Sequence, residues 1–319
     1  MGISSLVSVI IPAYNHQEYV QETIKSIINQ TYQNIELIVI DDGSKDSTWQ
    51  KIVELQDVCK KRFARVHFET KENEGTCKTL NKLVSLAKGK YIYLVASDDI
   101  SKPDAIKEEI EFLERYPDYA LVVGDSEFID ASGIKCYKDK NDSLVYDLNK
   151  ARFKTYAEQL SYKNSKFKET NFGKYETLYL GNYIPNGYLI RKSIFDSIGQ
   201  FTPEAPLEDW WLMLQISKYA KMKYINKILF SYRWHGKNTM ANIEKMRKIT
   251  DKTFQYELDI LKNIDKSEIT PDINNILKNG VCYKKQGVPF IFEISTSKIG
   301  FTKKKIIKFL NIKIAEYAK

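Results

Sequence analysis

Short apolar runs alternate with segments of helical periodicity over the first 125 residues of the chain. Continuous apolar runs rich in β-branched residues predict buried strands, whereas apolar residues spaced three and four apart predict helices. Repeated alternation of the two is typical of a mostly parallel sheet with helices on both faces, so we expect an α/β fold. The predicted strands cover residues 7–11, 35–40, 65–70, 91–95 and 119–124, and the predicted helices cover residues 19–29, 47–61, 76–87 and 105–115.

The pattern is weaker beyond residue 125. Residues 125–175 are polar and lysine-rich, which predicts a long loop or lid. Residues 183–200 indicate a strand or turn followed by a short helix that ends at Gly199. An amphipathic helix is expected over residues 210–220 and a strand over residues 227–232. From about residue 241 the pattern is helical and charged, which predicts a helical C-terminal extension.

Composition narrows the class of protein. Hydrophobic residues make up 43% and charged residues 28%, as in an ordinary globular protein. The net charge of +8 comes mainly from lysine and suits an acidic partner such as a nucleoside diphosphate, an anionic lipid or a nucleic acid, although a solvated lysine-rich surface gives the same balance.

Cysteine usage and apolar run length indicate a cytoplasmic protein. The cysteines have neither zinc-site nor disulfide spacing, so we expect reduced thiols. The sequence shows no signal peptide and no uncharged apolar run of about 18 residues. The four cysteines are Cys59, Cys77, Cys136 and Cys282.

Polar clusters follow three of the predicted strands, at residues 12–15, 41–44 and 97–99. Ligands of open parallel sheets bind at the carboxyl ends of the strands. We therefore expect these three clusters to converge on one crevice.

Asp98 and Asp99 are adjacent carboxylates at the end of a predicted strand. Hard oxygen ligands of this kind bind Mg²⁺ or Mn²⁺ together with substrate phosphates. A helix cap before Lys102 is the structural alternative. Asp42 follows another strand and is a candidate for a nucleobase or ribose contact, although Asp41 to Ser44 is also good turn chemistry.

Glu208 and Asp209 precede the helix that contains Trp210 and Trp211. Carboxylates at a helix N-terminus are stabilised by free N–H groups, which is a structural role. The functional alternative makes Asp209 a general base. Trp210 and Trp211 are candidates for stacking on sugar rings, although at least one of them is expected in the core.

His235 lies close to Arg233 and Lys237, just after a predicted strand. This setting suits a diphosphate contact or a metal ligand, with a structural histidine as the alternative.

Taken in order, these motifs resemble family 2 glycosyltransferases over about residues 5–240. The resemblance rests on residues 7–15 (VSVIIPAYN), 28–32 (INQTY), 36–48 (ELIVIDDGSKDST), 73–75 (NEG) with Asn81, and 89–99 (GKYIYLVASDD). It continues through residues 187–199, 208–212 (EDWWL) and 232–235 (YRWH).

The resemblance implies a GT-A (Rossmann-like) fold, a nucleoside-diphosphate-sugar donor, an inverting mechanism and a divalent metal, Mn²⁺ or Mg²⁺. It implies a donor-binding half over residues 1–125, an acceptor-binding half over 126–240 and a helical C-terminal region over 241–319. Asp209 is then the catalytic base, Asp99 and His235 bind the metal, and Glu208, Trp210 and Trp211 contact the acceptor. The expected donor-binding residues are Pro12, Ala13, Tyr14, Asp42, Asn73, Lys78 and Asp98.

Two departures from the family pattern refine this expectation. Many members have Asp-x-Asp-Asp where this chain has Ala96 to Asp99, so the division of labour between Asp98 and Asp99 is open. The Gln-x-x-Arg-Trp motif and membrane spans of processive polymerases are not evident, which favours addition of a single sugar to a glycan or lipid-linked glycan of a bacterial surface. UDP is the expected nucleotide of the donor.

Two other classes of protein remain as alternatives. A nucleotidyltransferase is expected to have a glycine-rich phosphate loop near the N-terminus, and residues 12–15 do not form one. A non-catalytic binding protein, for a nucleotide sugar or a nucleic acid, is the second alternative. We expect no nucleic acid, because the lysines are spread along the chain and carboxylates occupy the predicted site.

The C-terminal tail, residues 303–319, mixes lysines with Ile306, Phe309, Leu310 and Tyr317. Such a segment can lie on an anionic membrane surface, which would suit a lipid-linked acceptor, or it can pack as a terminal helix.

Overall fold

The computed structural model describes residues 4–163, 172–179, 181–236, 238–239 and 242–263. It also describes the backbone of three strands over residues 293–299, 302–309 and 312–318.

A ten-stranded mixed sheet forms the centre of the protein, in the order β3-β2-β1-β4-β9-β6-β10-β5, with β7 and β8 attached beside β6. The strands β1, β2, β3, β4, β6 and β10 run in one direction, while β9 and β5 run against them. The predicted mostly parallel sheet is confirmed. The strands are β1 Val7–Ala13, β2 Ile35–Asp41, β3 Arg65–Thr70, β4 Tyr91–Leu94, β5 Ile100–Ser101, β6 Tyr119–Asp130, β7 Lys135–Lys138, β8 Leu144–Val145, β9 Tyr188–Arg191 and β10 Lys221–Trp234.

Both faces of this sheet are covered. Val9 and Ile11 of β1 belong to one buried cluster and Ile10 belongs to the other, as expected when successive side chains point to opposite faces. The helices are α1 Val20–Ile28, α2 Thr48–Val53, α3 Gln56–Arg62, α4 Thr76–Leu86, α5 Ala105–Arg115, α6 Tyr156–Lys163, α7 Tyr175–Leu178, α8 Phe195–Ile198, α9 Glu208–Tyr219 and α10 Ile243–Asn263.

The long loop expected over residues 125–175 is wrong for much of its length. Strand β6 continues to Asp130, pairs with β7, and is followed by α6. The polar residues in the continued part of β6 are buried with partners. Asp125 accepts a hydrogen bond from the Ala157 N–H at 2.9 Å, and Glu127 pairs with Lys102 and Lys135.

The prediction of a helical C-terminal extension from about residue 241 is confirmed only for α10. Strands β11 Glu293–Ile299, β12 Thr302–Phe309 and β13 Ile312–Ala318 form a separate three-stranded antiparallel sheet, which contradicts a terminal helix over residues 303–319. Isoleucines are frequent in β12 and β13, and β-branched residues favour strands. The membrane contact of the tail stays a prediction.

Among the helices that the structure describes, none is both long enough and apolar enough to cross a bilayer.

Candidate active site

The carboxyl ends of β1, β2, β4 and β10 lie along one edge of the sheet, because these strands are parallel. The chain leaves β1 toward His16, β2 toward Asp42, β4 toward Asp98, and β10 toward His235. The predicted convergence of polar clusters is therefore a property of the fold. The 41–44 turn is tied directly to β1, since the Asp42 N–H donates to the Ala13 carbonyl at 2.8 Å.

Asp98 lies between two histidines at this edge. Its Oδ2 is 3.0 Å from Nε2 of His235 and 3.9 Å from Nε2 of His16. One ligand atom from each of the three residues lies within 4.8 Å of the others. Carboxylate oxygen and imidazole nitrogen are both ligands of first-row divalent metals, so these residues fit a divalent cation.

Neighbouring side chains fix the two imidazoles. Nδ1 of His16 is 2.7 Å from Oγ of Ser97, and Tyr19 stacks on His235 with ring centroids 4.9 Å apart. Burial lowers the pKa of His16, which favours the neutral imidazole. For Asp98, burial acts to raise the pKa, but the His235 hydrogen bond and the nearby His16 outweigh it and lower the pKa.

Asp99 has a different environment, although it is the next residue. It is 1% exposed, and its two oxygens accept hydrogen bonds from the Arg233 backbone N–H at 2.8 Å and from Asn186 Nδ2 at 3.2 Å. Burial and the adjacent Asp98 charge raise the pKa of Asp99 well above its ordinary value. Asp99, the expected metal ligand, therefore lies away from the histidines: Asp98, in a turn, faces them, whereas Asp99, just before β5, faces the interior.

Arg233 holds this turn in place. Its side chain is 1% exposed, and Nε donates to the Asp98 carbonyl at 2.7 Å. The guanidinium also pairs with Glu22 of α1 and lies 5.0 Å from the Tyr19 ring centroid. One arginine therefore connects α1, the Asp98–Asp99 turn and β10.

Asp42 is 4% exposed and organises the loop after β3. Its carboxylate pairs with Lys71 and accepts hydrogen bonds from the N–H groups of Glu74 at 3.1 Å and Gly75 at 2.9 Å. Burial acts to raise the pKa of Asp42, but the Lys71 hydrogen bond and the backbone donors lower it overall. The carboxylate is therefore held ionised at the edge of the sheet.

The other residues expected at the donor surround Asp42. Asn73 donates to the Asp42 carbonyl at 2.8 Å, and Tyr14 is 45% exposed beside the edge. Lys78 is exposed on α4 and pairs with Glu74 at 3.4 Å. Pro12 and Ala13 are the last residues of β1 and lie beside Ile40 and Asp41 of β2.

Glu208 and Asp209 lie in the first turn of α9, which begins two residues earlier than predicted. Asp209 Oδ2 accepts a hydrogen bond from Asn182 Nδ2 at 3.0 Å. Burial raises the pKa of Asp209, and burial with the Asp209 charge raises the pKa of Glu208 to about 7. A raised pKa brings a carboxylate closer to the range useful to a general base.

Trp210 and Trp211 are both core residues, 0% and 4% exposed. Trp210 donates its indole N–H to the Leu178 carbonyl at 2.7 Å, and Trp211 packs on Phe201. Residues 210–216 of α9 are buried on every side, so the helix is enclosed rather than amphipathic. The burial of both rings argues against the expected stacking of acceptor sugars on them, because neither ring face is open.

The segment of residues 182–186, which precedes β9, was missed by the sequence reasoning. Asn182 bonds Asp209 at one end of the segment, and Asn186 bonds Asp99 at the other. Turn residues Pro185 to Gly187 before an apolar run were the available signal. His16 was also missed, although it follows β1 at the same edge and the chain has only three histidines.

A cavity of about 570 Å³ lies away from this edge. Its lining includes Gly89 and Lys90, just before β4, and Arg191, at the end of antiparallel β9. These positions are at the amino ends of the parallel strands. The cavity therefore does not contain the polar cluster.

Comparison with known proteins adds a family to this geometry. The model of the family described as glycosyl transferase family 2 matches residues 8–199. An uncharacterized glycosyltransferase of Rickettsia felis is 29% identical over 88% of the chain and 44% of its own length. The glycosyltransferase GlyG of Streptococcus pneumoniae is 28% identical over 87% of the chain and 88% of its own length. The chain thus spans less than half of the Rickettsia relative.

Two solved structures share the fold. S. aureus TarS 1–349 in complex with UDP-GlcNAc has a TM-score of 0.56 at 18% identity, covering 86% of this chain and 71% of its own. The mannosyltransferase PcManGT of Pyrobaculum calidifontis, in complex with GDP-Man and Mn²⁺, has a TM-score of 0.59 at 14% identity, covering 85% and 69%. The expected GT-A fold is confirmed.

Proposed function

The chain belongs to glycosyl transferase family 2, and we propose that it moves one sugar from a nucleoside-diphosphate sugar to a hydroxyl of a glycan or lipid-linked glycan. The transfer inverts the configuration at the anomeric carbon. Asp209 is the catalytic base, and Asp98 with His235 would hold a divalent cation that balances the charge of the donor diphosphate.

The observation that carries the proposal is the link between two carboxylate sites through residues 182–186. Asn182 bonds Asp209, Asn186 bonds Asp99, and Asp98 next to it contacts His235. A base and a diphosphate site that are linked through one short segment suit a reaction in which an acceptor attacks from the face opposite to the leaving group. Holding two substrates in fixed geometry supplies much of the rate of such a reaction.

The donor half of the mechanism follows from the edge of β1, β2 and β4. Tyr14 and the ionised Asp42 bind the nucleoside, with Pro12, Ala13, Asn73 and Lys78 around it. A bound divalent cation supplies positive charge that neutralises the departing diphosphate. Arg233 keeps Asp98 in position for that site by holding its backbone carbonyl.

The acceptor half depends on the start of α9. Asp209 removes the proton from the acceptor hydroxyl as that oxygen forms a bond to the anomeric carbon. The bond from the anomeric carbon to the diphosphate oxygen breaks, and the nucleoside diphosphate leaves with the electron pair. Glu208, partly exposed beside Asp209, contacts the acceptor.

The donor that we propose is a UDP-sugar, and the setting is synthesis of a bacterial surface polysaccharide or glycoconjugate. TarS, which shares the fold, has been solved with UDP-GlcNAc, while PcManGT has been solved with GDP-Man. Both nucleotides therefore belong in the test.

A nucleotide-sugar panel tests this function. The purified full chain is incubated with UDP- and GDP-sugars and Mn²⁺ or Mg²⁺, with and without glycan acceptors, and the released nucleotide and the product anomer are followed by NMR. We expect release of a nucleoside diphosphate that acceptor accelerates, with inverted configuration in the product. Release of pyrophosphate would indicate a nucleotidyltransferase, and binding without turnover would indicate a binding protein.

A further inference from the structure

We infer that His16 is a third protein ligand of the cation, and that the resulting site of two imidazoles and one carboxylate prefers Mn²⁺ over Mg²⁺. The inference deepens the proposed function and rests on it for the identity of the site. Its test uses metal binding and not sugar transfer.

The distance between His16 and Asp98 carries the argument. Nε2 of His16 and Oδ2 of Asp98 are 3.9 Å apart, which is too long for a hydrogen bond. Two ligand atoms that each lie about 2.1 Å from one ion are separated by roughly 3 to 4 Å. The 3.0 Å spacing between Asp98 and His235 falls in the same range.

A hydrogen bond at Nδ1 orients the imidazole of His16. Nδ1 is 2.7 Å from Oγ of Ser97, which is 2% exposed. When Nδ1 carries the proton and donates it to Ser97, the lone pair of Nε2 faces Asp98. Metal-bound histidines are commonly oriented by such a hydrogen bond from the second nitrogen.

The backbone of His16 links its loop to α2 and to the start of α1, independently of the imidazole. The His16 N–H donates to Oγ1 of Thr48 at 2.8 Å, and its carbonyl accepts from the N–H groups of Tyr19 and Val20 at the start of α1. These backbone bonds do not need the imidazole. Its position near Asp98 and His235 suits a metal ligand.

The donor set determines the preferred metal. Mg²⁺ takes nearly all of its ligands from oxygen, whereas imidazole nitrogen is a softer ligand that first-row transition-metal ions accept more readily than Mg²⁺ does. Two nitrogen donors at one ion therefore disfavour Mg²⁺ relative to Mn²⁺. Replacing one nitrogen by oxygen should reduce that preference.

The test measures Mn²⁺ alone on the full chain by EPR titration and by electron spin-echo modulation from imidazole nitrogen. We expect the wild type to hold one Mn²⁺ with two coupled imidazoles. His16→Asn keeps an amide at the position of Nδ1 but lacks Nε2, so it should show one imidazole and bind Mn²⁺ at least about tenfold more weakly. His16→Asp should bind Mg²⁺ more tightly relative to Mn²⁺ than the wild type does.

The third histidine of the chain provides the matched control. His67 lies on β3 and pairs with Glu69 at 3.0 Å, outside the cluster, so His67→Asn should leave the Mn²⁺ affinity and both nitrogen couplings unchanged. Circular dichroism without metal establishes that each variant is folded. If His16→Asn does not fold, the number of imidazoles coupled in the wild type decides the question.

The inference is overturned if the wild type holds no Mn²⁺ or shows one coupled imidazole, or if a folded His16→Asn keeps the wild-type affinity. Two coupled imidazoles in a protein that transfers no sugar would refute the proposed function and leave the inference standing. Sugar transfer by a protein with one coupled imidazole would support the proposed function and refute the inference about His16.

Discussion

At the residue scale, Asp98 and Asp99 take different roles because their surroundings differ. Asp98 faces two imidazoles that lower its pKa, whereas Asp99 is enclosed and bonded to Arg233 and Asn186. The sequence predicted a carboxylate pair at this edge from the strand that precedes it. It could not predict which one faces the histidines, because that depends on a turn and on β10, which is more than 120 residues away along the chain.

Asp209 gives a prediction on the pH dependence of activity. Burial raises its pKa while the Asn182 hydrogen bond lowers it, so removal of that bond raises the pKa further. A general base acts when it is deprotonated, so activity rises with pH through this pKa. Asn182→Ala should move the acid limb of the pH–rate profile upward by roughly 0.5 to 1 pH unit.

The control for this prediction is Asn149→Ala, an exposed asparagine outside the site. It should leave the acid limb in place. An acid limb that stays at the wild-type pH in Asn182→Ala would show that Asp209 does not limit the rate at low pH.

At the element scale, the segment before β9 depends on a close approach that only glycine permits. Gly187 has a φ of +76°, and a Cβ at this position would overlap the Phe230 ring of β10. The approach sets Asn186 beside Asp99. The sequence indicates a turn here, but the packing against β10 is a tertiary contact that no local pattern contains.

Gly199 is the control that separates the effect of the Gly187–Phe230 contact on stability from the effect of backbone strain. It has the same φ of +76°, with open space where a Cβ would lie. Gly199→Ala should destabilise the protein by about 1 kcal/mol from strain alone. Gly187→Ala should cost about 1 to 3 kcal/mol more in urea unfolding, because the ring must move. Equal losses in the two variants would refute the close approach.

A buried charge cluster docks α10 against α7 and α9. Glu257 is 0% exposed, pairs with Lys218 at 2.7 Å, and accepts hydrogen bonds from Tyr175 at 2.5 Å and Gln215 at 2.8 Å. The charged helical pattern after residue 241 predicted the helix. It did not predict this docking, because the sequence alone does not distinguish a buried glutamate from an exposed one.

Removal of this carboxylate should be costly, because the buried Lys218 ammonium keeps its hydrogen bond to Gln215 but loses the negative charge that balances it. Glu257→Ala should lower the free energy of unfolding by about 3 to 5 kcal/mol in urea titration. Glu244→Ala, on the exposed face of the same helix, should change it by less than about 0.5 kcal/mol. Similar small changes in both variants would mean that the cluster does not hold α10.

At the scale of the whole molecule, strand direction organises the site. The parallel strands send their carboxyl ends to one edge, so residues from position 16 to position 235 meet there. Strand–helix alternation was enough to predict this convergence and a mostly parallel sheet, whereas the GT-A fold was predicted from the resemblance to family 2 glycosyltransferases. The continuation of β6 and the C-terminal strands were not predicted, because buried polar partners and long-range pairing determine them.

The same layout separates the proposed catalytic base from the proposed donor site. Asp42 and Asp98 lie at the ends of β2 and β4, while Asp209 belongs to α9 and is tied to the edge through residues 182–186. A change at Asp209 should therefore affect the chemical step and leave the nucleotide where it binds.

The most direct measurement compares Asp209→Asn with wild type and with Asp57→Asn, an exposed control on α3, in sugar transfer and in donor binding on the same samples. We expect Asp209→Asn to lose transfer by about 10² to 10⁴-fold or more while its donor Kd stays within about twofold of wild type, and Asp57→Asn to match wild type in both. Transfer by Asp209→Asn at a near-normal rate would contradict the assignment of Asp209 as the base and, with it, the proposed mechanism.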